Sequence, residues 1–303
     1  MYLVDMHSDS IQRVYRGEPL LARYNTSERY PKLQFFAHYS KANGISPKER
    51  LSGTLEGLSV YKREIEKSSL LSVESREDLK SAVSLGRSAA LFSIEGGGGL
   101  MPDSLRELGE LYAGGLRVFG AVWDENELCA SAWSEDDFGI TESGRAVLSE
   151  AIRLGIILDT SHMSDRSFWQ LSEMSSAPFV ATHSNFREVC KSPRNLTREM
   201  ALEIKRRGGV IGLNLYPPFL YPSGVADEGD IIRHIDYALE LLGEQTLAFG
   251  FDIDGTGGEY PRGLCEQESI HDRVSLLISE RYGERIAERI CGKNALDFLA
   301  RNL

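Results

Sequence analysis

Short apolar runs alternate with helix-like stretches along most of this 303-residue sequence, and this alternation limits the folds that are open to the chain. The runs are continuously apolar, as expected of strands that are buried on both faces in a parallel sheet. Eight such strands alternating with helices predict an α/β fold of the (β/α)8 barrel type, with a doubly wound open sheet as the alternative. The predicted strands are residues 1–4, 33–39, 89–95, 116–123, 156–159, 179–182, 210–215 and 247–251.

The stretches between these runs carry residues that commonly begin and end helices. Residues 142–154 are the clearest case, because Thr141 can cap the first turn and Gly155 can end the helix in the left-handed conformation. Gly292 marks a position where the last predicted helix can break. The remaining predicted helices are residues 48–68, 77–85, 104–113, 165–174, 197–207, 231–242, 269–281 and 285–299.

Composition and charge are those of a globular protein with no polyanionic partner. With 42% hydrophobic and 26% charged residues the chain can form one large core, and we expect a single domain over residues 1–303. Its net charge of −11, without a basic cluster, argues against binding to nucleic acid or to an anionic membrane. The start of the chain lacks the basic segment of a signal peptide, and no apolar run reaches the roughly 18 residues that span a bilayer.

Cysteine usage favours a reducing compartment. Four widely spaced cysteines without a C-x-x-C motif are not the framework of a disulfide-rich protein. We therefore expect free thiols and a cytoplasmic protein. The cysteines are Cys129, Cys190, Cys265 and Cys291.

Side chains of the kind that bind metal ions follow most of the predicted strands. In a barrel the carboxyl ends of the strands meet at one mouth, where catalytic residues lie. A single histidine at such a place is usually a packed or surface residue, but here four of the six histidines occur together with two carboxylates. The set therefore predicts a metal site. The strand-end residues are His7, Asp9, His38, Glu95, Trp123, His162, His183, Asn214 and Asp252.

The types of these residues indicate which ions would bind. Histidine with carboxylate and no cysteine suits zinc, and equally manganese, iron or cobalt. His7 and Asp9 lie two residues apart, so in an extended chain their side chains point the same way and can hold one ion. His162 and His183 can hold a second ion, and Glu95 can serve both ions if its carboxylate bridges them.

Six stretches, in order from one end of the chain to the other, resemble the membrane (renal) dipeptidase family of the amidohydrolase superfamily and its bacterial relatives. One such stretch is a weak signal, but the ordered set is specific. The resemblance implies a binuclear zinc site in which His7 and Asp9 hold one zinc, His162 and His183 hold the other, and Glu95 bridges. The stretches are DMHSD (5–9), IEGG (94–97), LDTSHMS (158–164), THS (182–184), VCKSPRN (189–195) and FGFDIDG (249–255).

The resemblance also implies a reaction, the hydrolysis of dipeptides by a hydroxide that bridges two zinc ions. Spacing alone leaves Asp252 and Asp254 as alternatives for the proton-transferring carboxylate, and the resemblance selects Asp252. The position of Arg194 binds the C-terminal carboxylate of the substrate, a task suited to a guanidinium. Some relatives accept a D-residue at that end of the substrate, and such barrels often form homodimers.

One departure from the family pattern bears on activity. Trp123 stands where the family usually has a histidine that hydrogen-bonds the substrate, and Gly98 replaces a second histidine often found after the Glu-Gly-Gly motif. An indole N–H donates one hydrogen bond but carries no charge, and loss of one oxyanion donor typically costs about 10²–10³ in rate. We expect Trp123 to contact substrate, with His38 as a substitute donor.

This departure keeps two other functions open. One is a metal-dependent amidohydrolase that acts on a lactone or a non-peptide amide. The other is a metal-binding relative without enzymatic activity.

Overall fold

The computed structural model describes residues 1–20, 29–264 and 269–303. The strands in these ranges pair in parallel within one sheet. They are β1 Leu3–Asp5, β2 Lys32–Tyr39, β3 Leu71–Ser72, β4 Ala89–Glu95, β5 Leu116–Gly120, β6 Ile157–Asp159, β7 Ile211–Leu213 and β8 Leu247–Phe249. Their order across the sheet is β6–β5–β4–β2–β1–β8–β7, and β3 pairs with β4 beside this path. The parallel α/β sheet expected from the alternation is confirmed.

The predicted strand 179–182 is present as hydrogen-bonded backbone between β6 and β7. Val180 N donates to Leu158 O at 2.9 Å on the β6 side, and Ala181 N donates to Val210 O at 3.1 Å on the β7 side. Single parallel bridges accompany these bonds on both sides. The segment therefore lies between the two strands that end the sheet path.

The helices lie between the strands, and the predicted caps of one of them are confirmed. Thr141 Oγ1 accepts a hydrogen bond from Gly144 N at 3.0 Å, and Gly155 ends that helix with φ 79°. The helices are α1 Ile11–Val14, α2 Pro47–Glu66, α3 Arg76–Leu85, α4 Leu105–Ala113, α5 Glu142–Leu154, α6 Asp165–Met174, α7 Arg198–Arg206, α8 Pro217–Leu220, α9 Glu228–Leu242, α10 Ile270–Tyr282, α11 Glu284–Glu288 and α12 Asn294–Asn302. No helix of the described ranges is long and apolar enough to span a bilayer.

Gly292 does not break the C-terminal helical region. It lies in a π-helical turn, Arg289–Lys293, that joins α11 directly to α12. A Cβ atom on Gly292 would lie 1.9 Å from the carbonyl oxygen of Tyr2. Glycine is needed here because it lets the helical region approach the start of β1, so the predicted break is corrected to a close contact.

Apolar side chains pack on both faces of the sheet. One core cluster collects one or two residues from each of six strands (β1, β2, β4, β5, β6 and β8), and α3 and α12 add side chains to it. Its members from the sheet and segment 179–182 include Val4, Leu33, Phe35, Leu91, Val118, Ile157, Val180 and Ala248. The larger cluster lies between the sheet and the surrounding helices. Cys129, Cys190 and Cys291 are buried free thiols, whereas Cys265 lies outside the described residues.

Candidate metal centre

A buried carboxylate at the end of β1 holds two arms of the site together. Asp5 is fully buried, and its Oδ1 accepts hydrogen bonds from Phe251 N at 2.9 Å and from His7 N at 3.3 Å. Its Oδ2 lies 3.0 Å from His271 Nε2 on α10. Asp5 therefore links the backbone of His7 to the backbone just before Asp252.

The carboxylate of Glu95 lies between two sets of histidines. Its Oε2 is 3.7 Å from His7 Nε2, whereas its Oε1 is 2.8 Å from His162 Nε2 and 3.2 Å from His183 Nε2. The two imidazole nitrogens His162 Nε2 and His183 Nε2 are 2.9 Å apart. One carboxylate thus presents one oxygen to each set, which is the arrangement of a bridging ligand.

The remaining carboxylates gather around His7. His7 Nε2 lies 3.8 Å from Asp9 Oδ1 and 3.9 Å from Asp252 Oδ1. Potential ligand atoms of His7, Glu95 and His183 lie within 4.8 Å of one another, as do those of His7, Asp9 and Asp252. The structure therefore brings together all five predicted ligands and Asp252.

Two buried polar atoms indicate that these residues suit a cation. His7 Nε2 and Asp9 Oδ1 have no hydrogen-bond partner among the described residues. Burying such atoms unpaired is costly, and most buried polar atoms in proteins are paired. Because both atoms face the same cluster of nitrogen and carboxylate donors, the cluster fits a divalent cation of the zinc, manganese or cobalt kind.

The chain sets the tautomer of His183 through a relay that the sequence analysis missed. The hydroxyl of Thr182 donates a short hydrogen bond to Asp159, and the Thr182 amide donates to Asp159 Oδ1 at 2.8 Å. Thr182 Oγ1 also lies 2.8 Å from His183 Nδ1. Since the hydroxyl proton is directed to the carboxylate, His183 Nδ1 must donate to Thr182, which leaves the Nε2 lone pair for a metal ion.

Three groups of the cluster, His7, Glu95 and Asp252, have raised pKa values. Burial alone would lower the pKa of His7, but Glu95, Asp9 and Asp252 outweigh it and raise this pKa to about 10. Burial raises the pKa of Glu95 well above its usual range, although His7 opposes this, and it raises the pKa of Asp252 as well. The acidic groups thus lack positive charge, which a bound divalent cation supplies.

The pKa values of the two histidines on the other side of Glu95 are lowered instead. Burial, together with the positive charge of Arg194 and His7, holds the pKa of His162 and of His183 well below the usual value. Both rings are therefore neutral near pH 7, the form in which imidazole binds metal ions.

Of the two carboxylates that spacing leaves as alternatives, Asp252 faces the cluster and Asp254 does not. Asn214 Nδ2 donates to Asp252 Oδ2 at 3.0 Å, and Asn214 Oδ1 accepts from Tyr216 N at 2.6 Å, which fixes the orientation of the amide. Asp254 instead accepts hydrogen bonds from Arg13 Nε at 2.8 Å and from Ser10 Oγ at 2.7 Å. Asp252 is thus aimed at His7 through its Oδ1.

Backbone conformation is unusual beyond the ends of β6 and β8. His162, Asp252 and Asp254 have positive φ angles of 68°, 61° and 68°, which non-glycine residues adopt at a cost. Beside them, a Cβ on Gly255 would lie 2.1 Å from Asp252 Oδ1 and 2.5 Å from Asp9 Oδ2. Glycine at this position therefore lets the two carboxylates approach the backbone.

Arg194 is a buried cation near the cluster. Its guanidinium donates to Ser184 Oγ at 2.7 Å and to the His183 carbonyl at 2.8 Å, and only 3% of the residue is exposed. Its Nε has no hydrogen-bond partner among the described residues. Burial lowers the pKa of Arg194 to about 10, although Glu95 and other carboxylates oppose this shift. A buried guanidinium held by neutral partners is suited to bind a carboxylate.

The structure does not bring His38 to the cluster. In the parallel pairing of β2 with β4, Tyr39 is the partner of Glu95, whereas His38 is the partner of Ile94. Side chains alternate along a strand, so Tyr39 lies on the face of Glu95 and His38 on the opposite face. There a Cβ on Gly57 of α2 would lie 2.2 Å from His38 Nδ1. Burial lowers the pKa of His38 to about 4.

Trp123 does lie beside the cluster, half-buried, just beyond β5. Its ring centroid is 6.2 Å from that of His162 and 5.0 Å from that of Tyr39, which packs edge-on against it. Tyr39 was not among the predicted site residues. The alternation of side chains along β2 could have indicated Tyr39, but only if the register of β2 with Glu95 were known.

Comparisons with known proteins point to one family. Residues 26–301 match the family described as membrane dipeptidase (peptidase family M19). The chain is 31% identical over 222 residues to an uncharacterized protein in the pqqA 5′ region of Klebsiella pneumoniae, covering 70% of this chain and 81% of that one. It is 28% identical over 235 residues to human Dipeptidase 3, covering 74% of this chain and 46% of the human protein. A solved structure of dipeptidase AC, an M19 metallopeptidase, matches with a TM-score of 0.87 at 25% identity, over 100% of this chain and 98% of that one.

Proposed function

Because the chain belongs to the membrane dipeptidase family (peptidase family M19), we propose that it hydrolyses dipeptides at a site that holds two zinc ions. The observation that carries the proposal is Glu95, whose Oε2 faces His7 and whose Oε1 faces His162 and His183. In this proposal His7 and Asp9 would hold one ion, His162 and His183 would hold the other, and Glu95 would serve both.

The bound ions would supply Lewis acidity toward the scissile carbonyl and a water molecule of lowered pKa. The chain's own residues then handle protons and orientation. Asp252, aimed by Asn214 through a 3.0 Å hydrogen bond, accepts the proton of the attacking water and delivers it to the leaving amine. The carboxylate that ends the substrate is bound by Arg194, whose guanidinium is already fixed by two neutral acceptors.

Trp123 completes the proposed site on the side of His162. Its ring centroid lies 6.2 Å from that of His162, so it would face a substrate bound there, and its indole N–H can donate one hydrogen bond. His38 is not carried into the proposal, because it lies on the opposite face of β2, against α2.

We also propose that the strands close into a (β/α)8 barrel. Segment 179–182 bonds to both β6 and β7, and one core cluster takes side chains from successive strands, as the interior of a closed (β/α)8 barrel would. We place residues 1–303 in one such domain. A homodimer and a cytoplasmic location remain predictions.

The alternative function is hydrolysis of a lactone or a non-peptide amide, which the neutral indole of Trp123 keeps open. A screen of L,L- and L,D-dipeptides decides between the two, with zinc restored to protein that was first stripped by a chelator. We expect hydrolysis of at least one dipeptide well above the metal-free control. A dipeptide panel with no turnover, alongside turnover of a lactone, would favour the alternative. Two bound zinc ions per chain without any turnover would indicate a non-enzymatic metal-binding protein.

A further inference from the structure

A group of aromatic side chains lies next to Arg194, and neither the metal centre nor the proposed proton transfer uses it. The ring of Phe219 lies 5.7 Å from Arg194 Cζ. Trp133 lies 6.3 Å from Phe219 between ring centroids, and Tyr216 packs edge-on against Phe219 at 5.0 Å. We call Trp133, Tyr216 and Phe219 the aromatic rim.

Hydrogen bonds tie the rim to both ends of the proposed substrate site. Asn195, the residue after Arg194, donates from Nδ2 to the Phe219 carbonyl at 2.9 Å. On the other side, Ala132 N, just before Trp133, donates to the carbonyl of His162 at 2.8 Å. The rim is therefore held in a fixed position between the carboxylate-binding arginine and a metal ligand.

The side chain of Trp133 is unusually exposed, although a hydrogen bond holds the backbone just before it. It is 55% exposed, although large aromatic side chains are mostly buried. Together with Phe219 and Tyr216 it forms a continuous aromatic surface that reaches from solvent to Arg194, and such surfaces can bind an apolar group of a ligand.

The covalent structure of a dipeptide determines which of its groups reaches this rim. The C-terminal carboxylate and the C-terminal side chain are bonded to the same carbon atom. When Arg194 binds the carboxylate and the scissile carbonyl lies at the metal centre, that side chain starts beside Phe219. Resting on the proposed function, we infer that the aromatic rim selects dipeptides whose C-terminal residue carries a large apolar, above all aromatic, side chain.

Steady-state kinetics on Ala–Phe and Ala–Gly with the zinc-loaded enzyme test the inference. We expect kcat/KM for Ala–Phe to exceed that for Ala–Gly by about tenfold or more, because an aromatic pair adds binding beyond area burial. Trp133→Ala should remove most of this ratio and leave Ala–Gly hydrolysis nearly unchanged. Trp169→Ala is the matched control, since Trp169 is 38% exposed on α6 and packs against Phe168 instead. Equal loss on both substrates, or an unchanged ratio in Trp133→Ala, would overturn the inference while dipeptidase activity stands.

A binding measurement separates this inference from the proposed function. N-acetyl-phenylalanine and N-acetylglycine carry the same carboxylate and need no hydrolysis to bind. Calorimetry should show tighter binding of N-acetyl-phenylalanine, and Trp133→Ala should reduce the difference by about tenfold. If no dipeptide is hydrolysed but this preference persists, the proposed function fails and the aromatic site stands. If both ligands bind equally to the unaltered chain, the aromatic site is refuted.

Discussion

Thr182 Oγ1 lies 2.8 Å from His183 Nδ1 while its own hydroxyl proton is directed to Asp159. This pair determines which imidazole nitrogen of His183 keeps a lone pair. His162 has no matching partner, since its Nδ1 makes no hydrogen bond among the described residues. The two histidines on the Oε1 side of Glu95 are thus held in different ways, and Thr182 is a residue whose loss should affect metal affinity before it affects the fold.

Replacing Thr182 tests this relationship. Thr182→Val removes the acceptor of the His183 Nδ1–H bond, and loss of such an outer partner typically costs about 10–100-fold in metal affinity. We expect that loss in a zinc competition titration against a chelator. Thr182→Ser keeps the hydroxyl and should retain most of the affinity. Equal zinc affinity in the valine and serine variants would show that the hydroxyl does not set the tautomer.

A second prediction concerns Gly255, whose missing side chain leaves room for two carboxylates. In Gly255→Ala the new Cβ would overlap Asp252 Oδ1 and Asp9 Oδ2, at 2.1 and 2.5 Å. Those atoms end side chains, so we expect the chain to fold while the carboxylates shift, and displacement of a catalytic group by about 1 Å can cost about 10²-fold in kcat. Gly53→Ala is the control, because no atom lies within 4 Å of its new Cβ. Full activity in Gly255→Ala would show that the two carboxylates can make room for a Cβ atom without loss of function.

Most of the candidate metal centre can be predicted from the sequence because each proposed ligand lies at, or within a few residues of, the end of an apolar run. Parallel strands bring such positions to one edge of a sheet whatever the details of pairing. The face of the sheet on which a side chain lies is harder to predict, because a change of one residue in register exchanges the two faces. The sequence therefore predicts His38 as a site residue, whereas the structure places Tyr39 beside Glu95.

Other parts of the site depend on contacts between distant segments, which no local pattern reports. Asp252 and Asp254 have the same spacing and type, and they differ because Arg13, 241 residues away, binds Asp254. The relay from Asp159 to Thr182 likewise requires β6 to lie beside segment 179–182. The helical break predicted at Gly292 failed for the same reason, because the carbonyl of Tyr2 sets the need for glycine there.

Stability should fall in mild acid because of His234. Burial lowers the pKa of this fully buried side chain to about 4, although its hydrogen bond to the Leu220 carbonyl opposes the shift. The unfolded chain, with a histidine pKa of about 6.5, then binds more protons, so the free energy of unfolding decreases as pH falls from about 6.5 to about 4. The contribution of His234 is at most about 3 kcal/mol.

Chemical denaturation with a chelator present measures this effect without a contribution from metal binding. His234→Gln removes the titrating group. In this variant the free energy of unfolding should therefore decrease less between pH 6.5 and pH 4, by the amount that His234 contributes. His38, whose pKa burial also lowers to about 4, should account for part of the remaining slope. The assignment to His234 fails if the variant and the unaltered chain lose stability in parallel.

The last prediction concerns Arg194 and separates a carboxylate-bearing substrate from a neutral one. Truncating one partner of a buried charge pair typically costs about 2–5 kcal/mol, so Arg194→Met should raise KM for dipeptides by about thirtyfold or more. Dipeptide amides, which lack the carboxylate, should be hydrolysed poorly by the unaltered enzyme and no worse by the variant. Arg194→Lys keeps the charge but loses the planar fork, so its KM should lie between the two. Since Arg194 also bonds to the His183 carbonyl, zinc content is measured for each variant. An equal rise in KM for dipeptides and their amides, at full zinc content, would show that Arg194 does not bind the carboxylate.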